Sequence, residues 1–398
     1  MKALIVTSVY GFLSKFERQN VRLLQEMGFE VHYASNHDNV VYKTDHDEMQ
    51  EMGVIFHNIP ISQSPLAIAT NRKAAFKLKQ IITEENIDIV HCHTPTGGMV
   101  ARLACRNLDV YMIYTAHGFH FYKGARPIHN FIYYSAEDLM SRWTDCIVTI
   151  NHEDENAAKT MHASKVYRIP GVGIDSDYYR LTYDTDRDRA REKLGIEPDV
   201  FFMISVGELR ENKNQMIILK TLARIRKKMA EDEAKRKLKP GTLKIKYGLI
   251  GSGRQEDEMR EYVEKNDLSD MVCFYGYKSD IRVYLAAADV MVFPSIREGL
   301  GMAALEALST GLPVIASENR GSKEYIIDRR NGLLVSEDST KAYSKAVLEA
   351  MLREQDSNDL SRRENIRESV SGFSRSETEK IMRKVYEDAR DKCSITSV

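Results

Sequence analysis

Short apolar β-rich runs alternate with amphipathic helical segments almost from end to end, and this rhythm restricts the fold more than any other feature of the chain. Strand candidates in the first half are Ala3–Thr7, Glu30–Ala34, Ile87–His91, Tyr111–Thr115, Cys146–Ile150 and Val166–Ile169, with helical patterns such as Phe16–Met27, Arg72–Glu84 and Met99–Cys105 between them. The second half continues with Phe201–Val206, Lys244–Ile250, Val272–Tyr275, Val290–Phe293, Pro313–Ala316 and Leu333–Val335. Continuous apolar strands joined by helical crossovers imply parallel sheets covered on both faces. One sheet of about a dozen strands is unusual, so the pattern predicts an α/β chain with two doubly wound sheets of about six strands. The rhythm lapses between Gly171 and Pro198, which sets the expected domains at 1–175 and 176–375. The last helix, near Glu377–Ala389 in 376–398, has no strand after it and is free to pack back on the first domain. Two such domains are expected to face each other across a cleft, with ligands beyond the carboxyl ends of the strands.

Composition narrows the function classes. The 398 residues carry a formal net charge of -1, which argues against wrapping nucleic acid. Cys92, Cys105, Cys146, Cys273 and Cys393 are scattered and contain no Cys-x-x-Cys pair, a pattern of reduced thiols rather than a disulfide frame. The apolar run Ala3–Val6 is too short for a secretion signal, and no run approaches the roughly 20 apolar residues of a membrane span. A cytoplasmic protein is expected, at most peripheral to a membrane. Arg224–Lys246 mixes Arg226, Lys227, Lys228, Lys235, Arg236 and Lys237 with Glu231, Asp232 and Glu233, which favours a solvated helix over a membrane-binding face.

The sharpest chemical signal runs from Pro294 to Ala307, after the strand Val290–Phe293. Gly299 and Gly301 keep the turn free of bulk, and the helix from about Met302 opens with unpaired amides and a positive dipole end suited to a phosphate oxygen. Glu298 precedes that helix and Glu306 lies about one turn inside it, so both carboxylates can reach hydroxyls of one ligand. Alternatively Glu298 only complements the dipole and Glu306 is a surface charge. Its neighbours Ala304, Leu305, Ala307 and Leu308 speak against that, because a buried carboxylate must have a partner.

A second element, Ser205 to Asn214, follows the strand Phe201–Val206, and its Lys213 is placed to reach a diphosphate. A third, Ile250-Gly251-Ser252-Gly253, is read as a tight turn near a nucleotide; the next glycine of a dinucleotide fingerprint is missing. In the first half, His117 follows a strand within Thr115-Ala116-His117-Gly118-Phe119-His120-Phe121, and Gly11 lies in the loop Ser8-Val9-Tyr10-Gly11-Phe12. His91-Cys92-His93 has no nearby acid or cysteine in sequence to complete a tetrahedral set, so no metal site is expected.

Together these elements resemble the retaining glycosyltransferase family 4, of GT-B architecture, over essentially the whole chain. The resemblance rests on the pair Glu298 and Glu306, on Ala288-Asp289-Val290, Gly311-Leu312-Pro313-Val314 and Asn331-Gly332-Leu333-Leu334-Val335. His93-Thr94-Pro95, His117-Gly118-Phe119-His120 and Thr149-Ile150-Asn151 are similar to the branch that builds bacterial exopolysaccharide and capsule. The resemblance implies a hexosyltransferase that uses a nucleotide sugar, with UDP the default base, on a saccharide or lipid-linked acceptor, and with no cofactor. It places Glu306 on the ribose and Glu298, with the amides of Leu300 and Gly301, on the donor sugar, with Met302 among the substrate-binding residues. Lys213 falls on the diphosphate, His117 near the sugar. Where the family usually has an arginine this chain has Glu208, and Arg210 is expected to substitute for it.

The implied chemistry is front-face displacement with retention, the donor phosphate taking the acceptor proton, since no carboxylate pair here is arranged as a glycosidase acid and nucleophile. The alternatives are a nucleotide-sugar epimerase, a non-catalytic sugar-nucleotide-binding partner suggested by Glu208, and a nicotinamide dehydrogenase, which the incomplete glycine pattern disfavours.

Overall fold

The computed structural model describes residues 1–40, 50–180, 183–235, 244–336, 338–355 and 360–396. The chain divides into two compact units, Met1–Gly173 with Arg375–Val398, and Ile174–Ser374. Each is a parallel sheet with helical crossovers, as the unbroken apolar strands require.

The first unit holds β1 (Lys2–Val6), β2 (Glu30–Ser35), β3 (Ile55–Asn58), β4 (Ile89–His93), β5 (Tyr111–Ala116), β6 (Cys146–Thr149) and β7 (Lys165–Arg168), in the order β3-β2-β1-β4-β5-β6-β7. Its central strands are buried along their length, β4 and β5 at every residue. The edge strand β3, Ile-Phe-His-Asn, is half-exposed and lacks the continuous apolar run of the central strand β1. The helical pattern from Phe16 resolves into a π-turn, Leu13–Glu17, followed by α1 (Arg18–Glu26). The crossovers also include α2 (Ile68–Glu84), α3 (Pro95–Cys105) and α4 (Pro127–Ser141).

The second unit holds β8 (Phe201–Val206), β9 (Ile245–Ile250), β10 (Val272–Gly276), β11 (Val290–Phe293), β12 (Val314–Ser317) and β13 (Gly332–Val335), in the order β10-β9-β8-β11-β12-β13. Its core joins one face of β8 and β9 to the helix Gln215–Ala234 through Leu219, Leu222, Tyr247 and Leu249, all fully buried. At the amino ends of β8 and β11, Asp289 accepts from Arg191 at 2.6 Å and from the Phe202 amide at 2.7 Å. The Ala288-Asp289-Val290 motif is thus a buried clamp that sets these two strands side by side. In the charged helix Gln215–Ala234, Lys228 pairs with Asp232 and Arg226 with Asp270 at the surface. Arg236 and Lys237 lie outside the described residues.

Helix α5 (Met302–Ser309) follows β11, and α6 (Arg375–Thr396) is the last helix. Helix α6 packs on α1, and its Tyr386 hydroxyl bonds the buried His91 Nδ1 at 2.9 Å. No helix of the described residues is long and apolar enough to cross a membrane.

Candidate active site

In the second unit the strand order reverses between β8 and β11, since the chain leaves β8 toward β9 and β10 but leaves β11 toward β12 and β13. Loops that follow such a pair part in opposite directions and leave a crevice at the carboxyl ends. Lys213, after β8, and Glu298, after β11, meet there with Nζ and Oε1 2.5 Å apart, both largely buried. Lys213 Nζ also lies 5.3 Å from the centre of the Phe293 ring, so the cation rests on the last apolar residue of β11. Asn212 ties the two loops together: its Nδ2 donates to the Arg297 carbonyl at 2.9 Å and its own carbonyl accepts from the Ile296 amide at 2.8 Å.

The turn into α5 takes its shape from Gly301, which caps the helix at φ 96° and ψ 67°. A Cβ there would lie 2.8 Å from the Phe293 ring and 2.9 Å from the Tyr325 hydroxyl, so only glycine fits in both space and dihedral. No side chain caps the helix. The amides of Leu300, Gly301, Met302 and Ala303 donate to no acceptor among the described residues. Consecutive free amides at a helix start, beside a lysine, form an anion cradle. Lys213 and Glu298 are brought together here with these amides.

Glu306, on α5, is half-buried, and the Tyr179 hydroxyl bonds its carboxylate. Burial and that carboxylate together raise the Tyr179 phenol above its ordinary value. Tyr325 is buried with its hydroxyl unpaired, and burial, with the charge of Glu298, holds its proton on firmly. A buried hydroxyl without a partner beside a cradle is a donor waiting for an acceptor. Asn331 fixes Tyr325 from behind, with Nδ2 on the Tyr325 carbonyl at 2.8 Å and Oδ1 accepting from the Ile327 amide at 2.8 Å. The Asn331-Gly332 motif therefore supports the site without lining it.

Gly251 and Gly253 owe their identity to backbone packing. A Cβ on Gly251 would sit 1.9 Å from the Gly207 carbonyl oxygen, and one on Gly253 would sit 2.3 Å from that of Leu209. The Leu209 amide bonds the Ser252 carbonyl at 3.1 Å, so the loops after β8 and β9 are zipped into one wall of the crevice. On that wall Arg210 pairs with Glu208 at 3.3 Å, both about half-exposed.

The first unit has its own reversal, between β1 and β4. Ser8, after β1, bonds Thr94, after β4, through the two hydroxyls at 3.0 Å. Gly11 turns the loop at φ 88°, and its carbonyl accepts from the Ser14 hydroxyl at 3.2 Å. This turn delivers the Phe12 ring to 5.7 Å from His93 and 5.6 Å from His117. His93 Nδ1 lies 3.2 Å from His117 Nε2 and 3.3 Å from a carboxylate oxygen of Glu17. Burial pushes His117 down to about 4 and His93 well below its ordinary value, and it lifts Glu17 up to about 8. At neutral pH both imidazoles are neutral and Glu17 holds a proton to share with His93.

No acid lies near His93 in sequence; Glu17, at the end of the π-turn, reaches it only in the fold. Ligand atoms of Glu17, His93 and His117 lie within 4.8 Å of one another, close enough to share a cation or a proton. The loop carrying His117 is held by Asp154, which accepts from the Phe119 amide at 3.2 Å and from Asn151 Nδ2 at 2.7 Å. The Thr149-Ile150-Asn151 motif thus acts on His117 through Asp154.

The family model for glycosyl transferases group 1 matches residues 186–368, and that for glycosyl transferase 4-like proteins matches residues 3–151. EpsD of Bacillus subtilis, named as a glycosyltransferase, is 35% identical over 352 residues, covering 87% of this chain and 86% of that protein. The Escherichia coli UDP-Gal:alpha-D-GlcNAc-diphosphoundecaprenol alpha-1,3-galactosyltransferase is 26% identical over 295 residues, 73% of each. Among solved structures, Anabaena HepE in complex with UDP and glucose superposes with a TM-score of 0.75 at 16% identity, over 98% of this chain and 100% of that one. Sucrose-phosphate synthase from Thermosynechococcus elongatus gives 0.77 at 20% identity, over 98% and 99%. These likenesses speak to the fold, two Rossmann-like parallel-sheet units of the GT-B kind. With both halves matched by family models and a relative this similar over most of its length, the chain belongs to the group 1 glycosyl transferases and is a glycosyltransferase.

Proposed function

We propose that the protein moves a hexose from a UDP-sugar to a saccharide or lipid-linked saccharide in exopolysaccharide or capsule assembly, with retention of anomeric configuration, at the cytoplasmic face of the membrane. The observation that carries this reading is the cradle in the second unit, where unpaired amides at the start of α5 adjoin Lys213 and Glu298. In the proposed division, residues 176–375 bind the donor, 1–175 the acceptor, and 376–398 completes the first domain.

A diphosphate entering the cradle competes with Glu298 for Lys213 and accepts from the amides of Leu300, Gly301 and Met302. Glu298, released from the lysine, takes hydroxyls of the donor sugar, and Glu306 those of the ribose. Gly251 and Gly253 let the nucleotide approach the backbone, and Arg210 adds charge at the edge. The C1–phosphate bond breaks as the acceptor oxygen bonds C1 on the same face, and the acceptor proton passes to the departing phosphate oxygen. Charge then grows on the diphosphate, where fixed amide dipoles and Lys213 meet it without reorganising. His117, neutral at pH 7, is suited to hydrogen-bond a sugar hydroxyl rather than to carry charge. The ion pair of Glu208 with Arg210 supports the catalytic reading over a non-catalytic partner, because it offsets the carboxylate's charge.

The test is incubation with UDP-sugars and a lipid-linked saccharide, with the new linkage read by NMR. The reading predicts transfer with the donor's anomeric configuration kept. An inverted linkage contradicts retention, and an epimer formed from donor alone contradicts transfer.

A further inference from the structure

Helix α4 is turned inside out. Its apolar positions Ile128, Phe131, Ile132, Ala136 and Leu139 recur at helical spacing and all face solvent, while His129, Asn130, Tyr133, Tyr134, Glu137, Asp138 and Met140 are half-buried. Ile128 is 71% exposed, Phe131 72%, Ile132 58% and Leu139 48%. The inward face is satisfied by polar partners. Asn130 Nδ2 donates to the Tyr122 carbonyl, Glu137 accepts from the buried Arg102 at 2.8 Å, and Tyr134 bonds the Thr160 hydroxyl at 2.9 Å. These bonds fix the rotation of the helix, so the apolar stripe faces outward by construction. A surface helix of a soluble domain normally does the reverse.

Cations frame the stripe. Lys123 and Arg126 stand just before α4 and Arg142 just after it, all exposed and in no ion pair among the described residues. The outward face carries no acid. The connections β3 to β4, β4 to β5 and β5 to β6 step in one direction along the sheet, so right-handed crossovers put α2, α3 and α4 on one face. Helix α2 packs on α3 and α3 on α4. On α2, Ile68 and Phe76 are 73% and 66% exposed among the exposed cations Arg72, Lys73, Lys77 and Lys79.

We propose that this helical face, with the α4 stripe at its centre, docks on a lipid bilayer bearing anionic headgroups. Exposed aromatic and aliphatic side chains enter the boundary between headgroups and acyl chains, and the framing cations meet phosphate. A second copy is a poor occupant, because a two-fold contact sets the same patch against itself, cation ring against cation ring with no acid to match. The docking face rests on the proposed placement at the membrane but on no step of the reaction, since vesicle binding is read without any sugar.

Co-sedimentation with vesicles of phosphatidylcholine mixed with phosphatidylglycerol, and of phosphatidylcholine alone, tests it on the full chain. The wild type is expected to sediment with the anionic vesicles. Phe131→Ser combined with Ile132→Ser should weaken partitioning at least about 10-fold. Combined Lys123→Gln, Arg126→Gln and Arg142→Gln should weaken it several-fold, with the loss masked at high salt. UDP affinity and thermal midpoint serve as fold controls and should not change, because every substituted side chain is exposed. Wild type left in the supernatant with both vesicles overturns the proposal. So does partitioning indifferent to the serine pair, or a dimer in solution that the serine pair dissolves while no vesicle binding is seen.

Discussion

The two units reverse strand order in the same way and fill the resulting crevice in opposite ways. Between β8 and β11 the loops present an ion pair, Lys213 with Glu298, and bare helix amides. Between β1 and β4, and at the end of the neighbouring β5, they present neutral histidines, a phenylalanine and a protonated carboxyl. Topology therefore decides where a crevice opens, and the loop residues decide which chemistry it offers. The charged crevice suits a diphosphate. The neutral one suits hydroxyl-rich sugars, which need directed hydrogen bonds and no net charge.

The largest effect that can break this contrast is expected at Lys213. Lys213→Ala should lower kcat by about 10²–10³, the usual cost of one preorganised stabilising group, in steady-state transfer assays. A change of only a few-fold would mean that the amides alone handle the leaving group. Next, Gly301→Ala meets Phe293 and Tyr325 at a positive φ. About 1–3 kcal/mol of strain should appear as a lower thermal midpoint, and a titration with UDP should show affinity weakened by about 10-fold. Unchanged UDP affinity would separate the helix start from phosphate binding.

The neutral crevice is tested by pH. Glu17 titrates at about 8 in the fold against 4.5 ordinarily, so between those values the folded state binds the extra proton. Stability contributed by this group is present below the ordinary value and is lost as pH rises toward about 8. His91 and His117 run the other way: at about 3 and about 4 against 6.5, they cost stability as pH falls below 6.5. Thermal unfolding of Glu17→Gln should lose the alkaline slope and keep the acid one. A wild-type alkaline slope retained in the variant would place its origin elsewhere. The smallest effect is expected at the exposed Arg210, where Arg210→Ala should weaken the donor only a few-fold because its pairing is with Glu208.

Much of this was legible beforehand, for reasons visible in particular residues. The buried strands announced themselves by unbroken apolar runs, and Gly301 and Lys213 by their places after strands. Strand β3 did not, because an edge strand reading Ile-Phe-His-Asn needs no apolar run. Glu17 did not, because its meeting with His93 is made by packing rather than spacing. Nor did the outward stripe of α4, because helical periodicity states that one face is apolar and leaves open which way it is turned. Arg102 on Glu137 decides that, and the pair forms only in the fold.

The most direct measurement is a crystal structure of the protein with UDP. The account predicts phosphate oxygens on the amides of Leu300, Gly301 and Met302, with Lys213 turned from Glu298 toward the diphosphate and the ribose on Glu306. A nucleotide seated away from the carboxyl ends of β8 and β11, with Lys213 still held by Glu298, would contradict it.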